Sequence, residues 1–214
     1  MVANEFKEIG KYDYCFNEFV FKTVPVKSEC LDIGCWTGNL GEALIKKKKC
    51  LVDGVDNNCQ VLNIAKRRGY RKIYNLDLNQ GHFSKTIRSK YDCLILADVL
   101  EHLINPGKVL KEARNLLKKD GLIIISIPNV AFIQNRVNLL LGRFEYNPCG
   151  GLMDIDHLRF FTGGSIRRLC ENAGYRKIEV EGYSLVKNRF FFLRLLAKLW
   201  PSLFALQYLV KLSK

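Results

Sequence analysis

The chain has 214 residues, of which 48% are hydrophobic, and it carries a formal net charge of +13. That length and composition are enough for one substantial core, so we expect a single domain over residues 1–214. No apolar run is long enough to span a bilayer, and the first residues lack the layout of a secretory signal. We therefore expect no transmembrane segment and a cytoplasmic location.

Short apolar runs alternate with longer segments of helical period along the first half of the chain. This alternation is typical of an α/β fold with a parallel sheet. Strands are predicted at residues 29–33, 51–55, 72–76 and 92–97, with helices at 40–47 and from Asn58 to a terminating Gly69.

The next helix has a clear start signal. Asn105 is suited to be its N-cap and Pro106 its first residue. Apolar side chains then recur along one face, at Val109, Leu110, Ala113, Leu116 and Leu117. We expect Gly121 to end this helix, and the continuous apolar run at 122–127 to form a fifth strand in the centre of the sheet.

After Pro128 the alternation is interrupted by an excursion at about 128–163. Its first part, 130–141, is predicted to be a helix that stops at Gly142. The excursion follows a strand, so it lies on the carboxyl edge of the sheet, where open α/β sheets bind ligands. A helix at 165–173, a strand at 176–181, a helix at 189–200 and a last strand at 203–212 are predicted to complete the chain.

Two features of the sequence admit a second interpretation. The apolar and basic tail at 190–211 is a candidate interfacial membrane helix, but Pro201 divides it, so we favour a helix followed by a sheet strand. The basic runs at 46–49, 66–68 and 118–119 fall at predicted helix C-termini, where cations are favourable and solvated. An anionic partner, which could be a substrate, a membrane surface or RNA, is the alternative for these runs.

A glycine-rich turn joins the first strand to its helix in Glu29-Cys-Leu-Asp-Ile-Gly-Cys-Trp-Thr-Gly-Asn-Leu. Small residues let the backbone approach a ligand, and the helix N-terminus offers free N–H groups to an anionic group. Asp56 ends the second strand, where a carboxylate can accept hydrogen bonds from ribose hydroxyls.

Leu31-Asp-Ile-Gly-Cys-x-x-Gly38 resembles the first motif of class I S-adenosylmethionine-dependent methyltransferases, and later segments up to Gly182 fit that family in order. The resemblance implies a Rossmann-like, doubly wound, seven-stranded α/β sheet, mostly parallel with an antiparallel last strand and helices on both faces. It implies S-adenosylmethionine as methyl donor and S-adenosylhomocysteine as product. It also implies cofactor contacts from Asp32, Gly34, Cys35, Gly38, Asp56, Asn57, Asp77, Leu78 and Asp98.

Trp36 departs from the family pattern, which has glycine at this position. Positive φ is costly for a bulky residue, so we expect Trp36 to keep a conformation open to such residues. Its indole then packs over the cofactor or points outward. The aromatics Tyr12, Tyr14 and Phe16 are candidates for a cofactor lid, with an ordinary surface helix as the alternative.

A second group of polar residues follows the fourth strand. Asp98, Glu101 and His102 share a face if they form a helical turn, and His157 in the excursion can converge on them. Two carboxylates and two imidazoles suit a divalent ion. The set resembles the metal sites of ubiquinone-pathway O-methyltransferases and small-RNA 2′-O-methyltransferases, with aspartate in place of the usual glutamate at 98.

Three roles remain open for this group: a metal site, a metal-free site in which His157 or His102 acts as base, and a purely structural cluster. His82 is interpreted as a surface residue. Other segments of the excursion resemble methyltransferase domains found with glycan biosynthesis. We therefore predict O-methylation of a hydroxylated small molecule or sugar-containing acceptor. The alternatives are an RNA 2′-O-methyltransferase and a non-catalytic accessory subunit that keeps the fold.

Overall fold

The computed structural model describes residues 16–148, 150–184, 195–196 and 198–214. Seven strands are present: β1 (Glu29–Ile33), β2 (Leu51–Asp56), β3 (Ile73–Asn75), β4 (Tyr91–Ala97), β5 (Leu117–Pro128), β6 (Lys177–Tyr183) and β7 (Gln207–Ser213). The helices are α1 (Glu18–Thr23), α2 (Asn39–Lys48), α3 (Cys59–Arg67), α4 (Phe83–Thr86), α5 (Pro106–Leu116), α6 (Ile133–Leu140), α7 (Gly163–Asn172) and α8 (Pro201–Phe204).

The strands form one sheet in the order β3-β2-β1-β4-β5-β7-β6. The neighbours from β3 to β5 pair in parallel, whereas β7 pairs antiparallel with both β5 and β6. The order reverses beside β1, and such a switch point is where doubly wound sheets bind ligands. The predicted fold class is therefore confirmed.

Two apolar layers cover the two faces of the sheet, because successive strand residues point to opposite sides. Leu31 and Leu94 face α5 and α7, whereas their neighbours Cys30 and Cys93 face α1, α2 and α3. β5 divides in the same way, with Ile123 in one layer and Ile124 in the other. The sheet is thus buried on both sides.

The predicted junction between α5 and β5 was wrong. The helix ends at Leu116, and Gly121 lies within the strand instead of terminating the helix. Tyr91 pairs with Leu117 and Cys93 with Leu122, so β5 bulges between these two pairs. This bulge depends on pairing with a distant strand, which local helix signals do not report.

The excursion and the C-terminal segment differ from the prediction at their starts. α6 begins at Ile133, and Gly142 follows it with a φ of 70°. Leu203, predicted to begin the last strand, belongs to α8, and β7 starts at Gln207. Most of the predicted helix at 189–200 lies outside the described residues, although 195, 196, 198 and 199 are helical.

Two of the three basic runs are where the sequence places them. Lys46 to Lys48 form the last turn of α2, and Lys66 and Arg67 the last turn of α3. Lys118 and Lys119 instead lie in β5, so their predicted helical position was wrong. In the part of the chain that the structure describes, no helix combines the length and apolar character needed to cross a membrane.

Candidate active site

The loops at the carboxyl ends of β1, β2, β3 and β4 carry the predicted cofactor residues. Gly34, Cys35 and Gly38 follow β1, while Asp56 ends β2. Leu76 N donates to Asp56 O over 2.9 Å, which joins the loop after β3 to the end of β2. The fold thus gathers these residues along one edge of the sheet.

Two glycines in the turn after β1 are required by geometry. Gly34 has a φ of 75°, and a Cβ atom there would lie 2.6 Å from Val99 Cγ2. Gly38 has a φ of 84°, and its Cβ would lie 2.7 Å from the Tyr70 ring. Gly38 is also the N-cap of α2 and has no side chain to cover the first-turn amides. The turn therefore presents backbone N–H groups to an anionic ligand.

Trp36 adopts a left-handed conformation with a φ of 48°, so the expectation that it would avoid positive φ was wrong. Its backbone N–H donates to Asp56 Oδ2 over 2.9 Å, which holds the turn against the end of β2. The indole is 40% exposed. The hydrogen bond to Asp56 offsets part of the backbone strain.

Asp56 has a second backbone donor, since Asn58 N contacts its Oδ1 over 3.1 Å. Each carboxylate oxygen of Asp56 can accept two hydrogen bonds and accepts one from the backbone, so each can still accept one from a ligand hydroxyl. Asn57, which lies between Asp56 and Asn58 in the sequence, is exposed.

The loop after β3 carries the next two predicted cofactor residues. Asp77 Oδ1 accepts from Asn79 N over 2.9 Å, and Leu78 beside Asp77 is buried.

Asp32 lies beneath the turn and contacts the α3–β3 connection. Tyr70 donates from its hydroxyl to Asp32 Oδ2 over 2.6 Å, and the carboxyl is almost fully buried. Burial raises the pKa of Asp32 to about 6, partly countered by the hydrogen bond from Tyr70. The same Tyr70 ring packs under Gly38. This contact supports the turn, and direct cofactor contact by Asp32 stays a prediction.

Asp98 does not form the helical turn predicted from its spacing to Glu101 and His102. It is left-handed, with a φ of 55°, and a separate 3₁₀ turn covers Leu100–His102. Its Oδ1 accepts from Gln207 Nε2 over 3.0 Å. Burial raises the pKa of the Asp98 carboxyl.

Gln207 belongs to a chain of hydrogen bonds that the sequence did not indicate. Tyr183 donates to Gln207 Oε1 over 2.6 Å, and Asn17 Nδ2 donates to the Tyr183 hydroxyl, also over 2.6 Å. Asn17 also caps α1. The chain therefore links the N-terminal helix to Asp98, and its bond between Asn17 and Tyr183 joins residues 166 positions apart.

The structure brings together three of the four predicted metal ligands. Glu101, His102 and His157 each place one ligand atom within 4.8 Å of the others. The two imidazole centroids lie 4.9 Å apart, and His157 is only 8% exposed. Asp98 is not part of this group.

Both imidazoles are oriented by backbone carbonyl groups of the excursion. His102 Nδ1 lies 3.1 Å from Asp156 O, and His157 Nδ1 lies 3.3 Å from Leu152 O. A carbonyl oxygen only accepts, so each Nδ1 carries a proton, and a neutral ring then has its lone pair at Nε2. Burial, followed by the nearby His102, lowers the pKa of His157 below its ordinary 6.5. His157 is therefore a neutral acceptor at pH 7.

Glu101 is the unusual member of the group because it is a buried carboxyl with 1% exposure. Among the described residues, no donor reaches either of its side-chain oxygens. Burial and the nearby Asp98 raise its pKa well above 4.5. An unsatisfied buried carboxylate is costly, so this position favours either a proton or a cation.

A cleft of about 350 Å³ opens in the excursion, which also carries His157. It has a mixed lining of amide, charged and apolar side chains: Val130, Asn135, Asn138, Leu139, Arg143, Phe144, Glu145 and Met153. Leu152, which orients His157, directly precedes Met153.

His82 is exposed at the start of α4, as predicted for a surface residue. Tyr12 and Tyr14 lie outside the described residues.

Comparisons with known proteins give a family match and structural neighbours. A family model described as a methyltransferase domain matches residues 14–180. A ubiquinone biosynthesis O-methyltransferase from Coxiella burnetii is 25% identical over 180 residues, which cover 81% of this chain and 75% of that protein.

Solved structures share the fold at low identity. A S-adenosylmethionine-dependent methyltransferase from Thermotoga maritima has a TM-score of 0.64 and 17% identity, covering 99% of this chain and 95% of that one. Another, from Archaeoglobus fulgidus, has a TM-score of 0.63 and 18% identity, covering 98% and 94%. At these identities the likeness concerns the fold alone.

Proposed function

The chain belongs to the methyltransferase domain family and is a class I S-adenosylmethionine-dependent methyltransferase, and we propose that it methylates a hydroxyl oxygen. The acceptor we propose is a hydroxylated small molecule or a sugar-containing molecule. The relative named a ubiquinone biosynthesis O-methyltransferase supports transfer to oxygen. The observation that carries the proposal is the contact of His157 Nδ1 with the Leu152 carbonyl, which leaves the lone pair of the neutral imidazole at Nε2.

The cofactor cradle fits S-adenosylmethionine because two glycines leave no room for a Cβ and Gly38 leaves the first-turn amides of α2 uncovered. In this proposal Gly34, Cys35 and Gly38 hold the methionine part. Asp56 binds the ribose hydroxyls, and Asp77 with the Leu78 backbone meets the adenine. When bound, the cofactor supplies a methyl group on a positively charged sulfur.

His157 is the proposed base. As the acceptor oxygen takes the methyl group, its hydroxyl proton passes to His157 Nε2, and the C–S bond breaks with its electrons on sulfur. The Leu152 carbonyl then stabilises the imidazolium through Nδ1–H. The rest of the site orients acceptor and donor, which is a large part of catalysis in bimolecular transfer. His102 is the second imidazole available for this role.

Glu101 supports a divalent cation in the same group. Its two unpartnered oxygens lie beside the two imidazoles, a carboxylate–imidazole set that transition metals prefer. A cation held by Glu101, His102 and His157 would act as a Lewis acid on the acceptor hydroxyl. It would occupy the His157 Nε2 lone pair, so it is the alternative to His157 as base. Asp98, predicted as a fourth ligand, would have to move from Gln207.

Calorimetric titration of chelator-treated protein with Mn²⁺ tests this cation independently of activity. Because the pKa of Glu101 is raised, binding should release protons and make the measured heat depend on the buffer. Glu101→Gln should abolish binding, with His82→Ala as the matched control. If the unmodified protein gives no heat of Mn²⁺ binding, the cation is contradicted and His157 acts as base in a metal-free site.

The overall proposal is tested by transfer of labelled methyl groups from S-adenosylmethionine into fractionated cell extract. Label in sugar or other small hydroxylated molecules is expected, and its stability to base distinguishes a methyl ether from a methyl ester. Label confined to RNA, or carried on nitrogen, would contradict the proposed acceptor class. A parallel reaction with chelator reports whether transfer needs the cation.

A further inference from the structure

We propose that the protein docks on an anionic lipid surface through an exposed apolar face formed by α6, the loop after it and the segment before α8. This inference goes beyond the proposed function and does not depend on it. The apolar face consists of Val137, Leu140, Leu141, Phe144, Leu199 and Trp200, all among the exposed large hydrophobic side chains of the described chain.

The first part of the face comes from α6 and its C-terminal turn. Val137, Leu140 and Leu141 are three and four positions apart, so they project from one side of the helix. Leu140 is 86% exposed. Phe144 follows them and stacks edge-on against Tyr146, with ring centroids 5.6 Å apart. Large side chains grouped in this way on a surface mark an interaction site.

The second part comes from a segment remote in sequence. Leu199 and Trp200 precede α8, and Trp200 is 63% exposed. Arg136 on α6 donates to Ser202 O over 3.2 Å, and Asn129 Nδ2 donates to Ala205 O over 2.8 Å. These contacts hold the segment beside α6. Two independent segments therefore expose apolar side chains on neighbouring parts of one surface.

Charge around the face favours anionic lipid over a protein groove. Arg136, Arg143 and Lys198 stand directly next to members of the face in the sequence, and Glu145 is the one acid in such a position. From residue 182 to residue 214 the sequence holds six Lys or Arg residues and no Asp or Glu. Leucine, phenylalanine and tryptophan bordered by cations are typical of interfacial membrane segments. Trp200 suits the boundary between headgroups and acyl chains.

Sedimentation of the full chain with lipid vesicles tests the proposal. Vesicles of phosphatidylcholine mixed with phosphatidylglycerol should bind the protein, and pure phosphatidylcholine should bind it at least several-fold less. Leu140→Ser and Trp200→Ser should each weaken binding roughly tenfold, since each removes a large apolar side chain from the interface. Leu51→Ser is the matched control because Leu51 is 51% exposed at the start of β2, away from the face. This variant should bind like the unmodified protein.

Fluorescence gives a second readout, because the chain has two tryptophans. Anionic vesicles should shift Trp200 emission to the blue, and Trp200→Phe should lose that shift. Equal binding by Leu140→Ser and Leu51→Ser would overturn the assignment of the face. Dimerisation without lipid that Leu140→Ser abolishes would assign the face to a second copy and also overturn the proposal. Methyl transfer to a water-soluble acceptor should be unchanged in Leu140→Ser, so the two proposals fail separately.

Discussion

At the scale of single residues, His157 combines burial, a fixed tautomer and a lowered pKa. Residues near in sequence and residues distant in sequence both contribute, since His102 also lowers the pKa of His157. The Leu152 carbonyl is five positions away, but the turn that returns it to the imidazole also depends on contacts of residues 158 and 159 with Glu101 O. The sequence identified the histidine, whereas its orientation required these backbone contacts.

His157→Ala should reduce kcat/KM roughly a hundredfold or more, because a positioned base is lost. The affinity for S-adenosylmethionine should remain nearly unchanged, since the cradle is formed by other loops. In the unmodified enzyme kcat/KM should rise with pH through an apparent pKa below 6.5, as His157 loses its proton. Steady-state kinetics across pH and cofactor titration check both statements. His82→Ala is the control, and equal loss of cofactor binding and turnover in His157→Ala would contradict the role.

Trp36 stores backbone strain in the cofactor turn. Trp36→Gly and Trp36→Ala both remove the indole, but only glycine also removes the Cβ that disfavours positive φ. Trp36→Gly should therefore be more stable than Trp36→Ala by roughly 1 kcal/mol. Chemical denaturation of the two variants measures this difference. The reverse order would show that residue 36 is not left-handed.

At the scale of elements, strand positions were predicted well because a strand buried on both faces is a continuous apolar run. β1 was predicted at its observed bounds, and the Asn105 cap and Pro106 start of α5 were also confirmed. The bulge in β5 and the chain from Asn17 to Asp98 were missed. Both depend on partners distant in sequence, which local patterns do not contain.

α7 is fixed at the end of the excursion by a capping box. Thr162 Oγ1 accepts from Ser165 N over 3.2 Å, and Ser165 Oγ accepts from Thr162 N over 2.8 Å. Thr162→Ala should lower the free energy of unfolding by about 1 kcal/mol, whereas Thr162→Ser should lower it much less because serine keeps the hydroxyl. Urea denaturation compares the two variants. Equal stability of the alanine and serine variants would mean that the hydroxyl contributes nothing.

At the scale of the whole molecule, buried carboxyls make stability depend on pH. The folded pKa of Asp32 is about 6, against an ordinary value of 3.8. The folded state thus holds the proton more strongly, so the contribution of Asp32 is greatest below the unfolded pKa and declines as pH rises through the folded one. Carboxylates paired with basic side chains have the opposite effect on the pH dependence of stability. Glu29 is an example, because Lys118 and Arg71 lower its pKa.

Asp32→Asn removes this titration without changing the side-chain shape. Relative to this variant, the unmodified protein should lose roughly 3 kcal/mol of stability between about pH 4 and pH 7. Urea denaturation across that range measures the loss. Tyr70→Phe should deepen it, because the Tyr70 hydrogen bond lowers the pKa of Asp32. Parallel pH profiles of the unmodified protein and Asp32→Asn would contradict the raised pKa.

The antiparallel strand β7 imposes an order of assembly on the molecule. Among the described residues, β6 pairs with the sheet only through β7, although β6 is synthesised first. Until β7 arrives, β6 has no sheet neighbour and β5 presents a long unpaired apolar edge, which invites association between nascent chains. The final strand is therefore the closing step of folding, and a ribosome-bound chain that lacks it should be the form most in need of a chaperone.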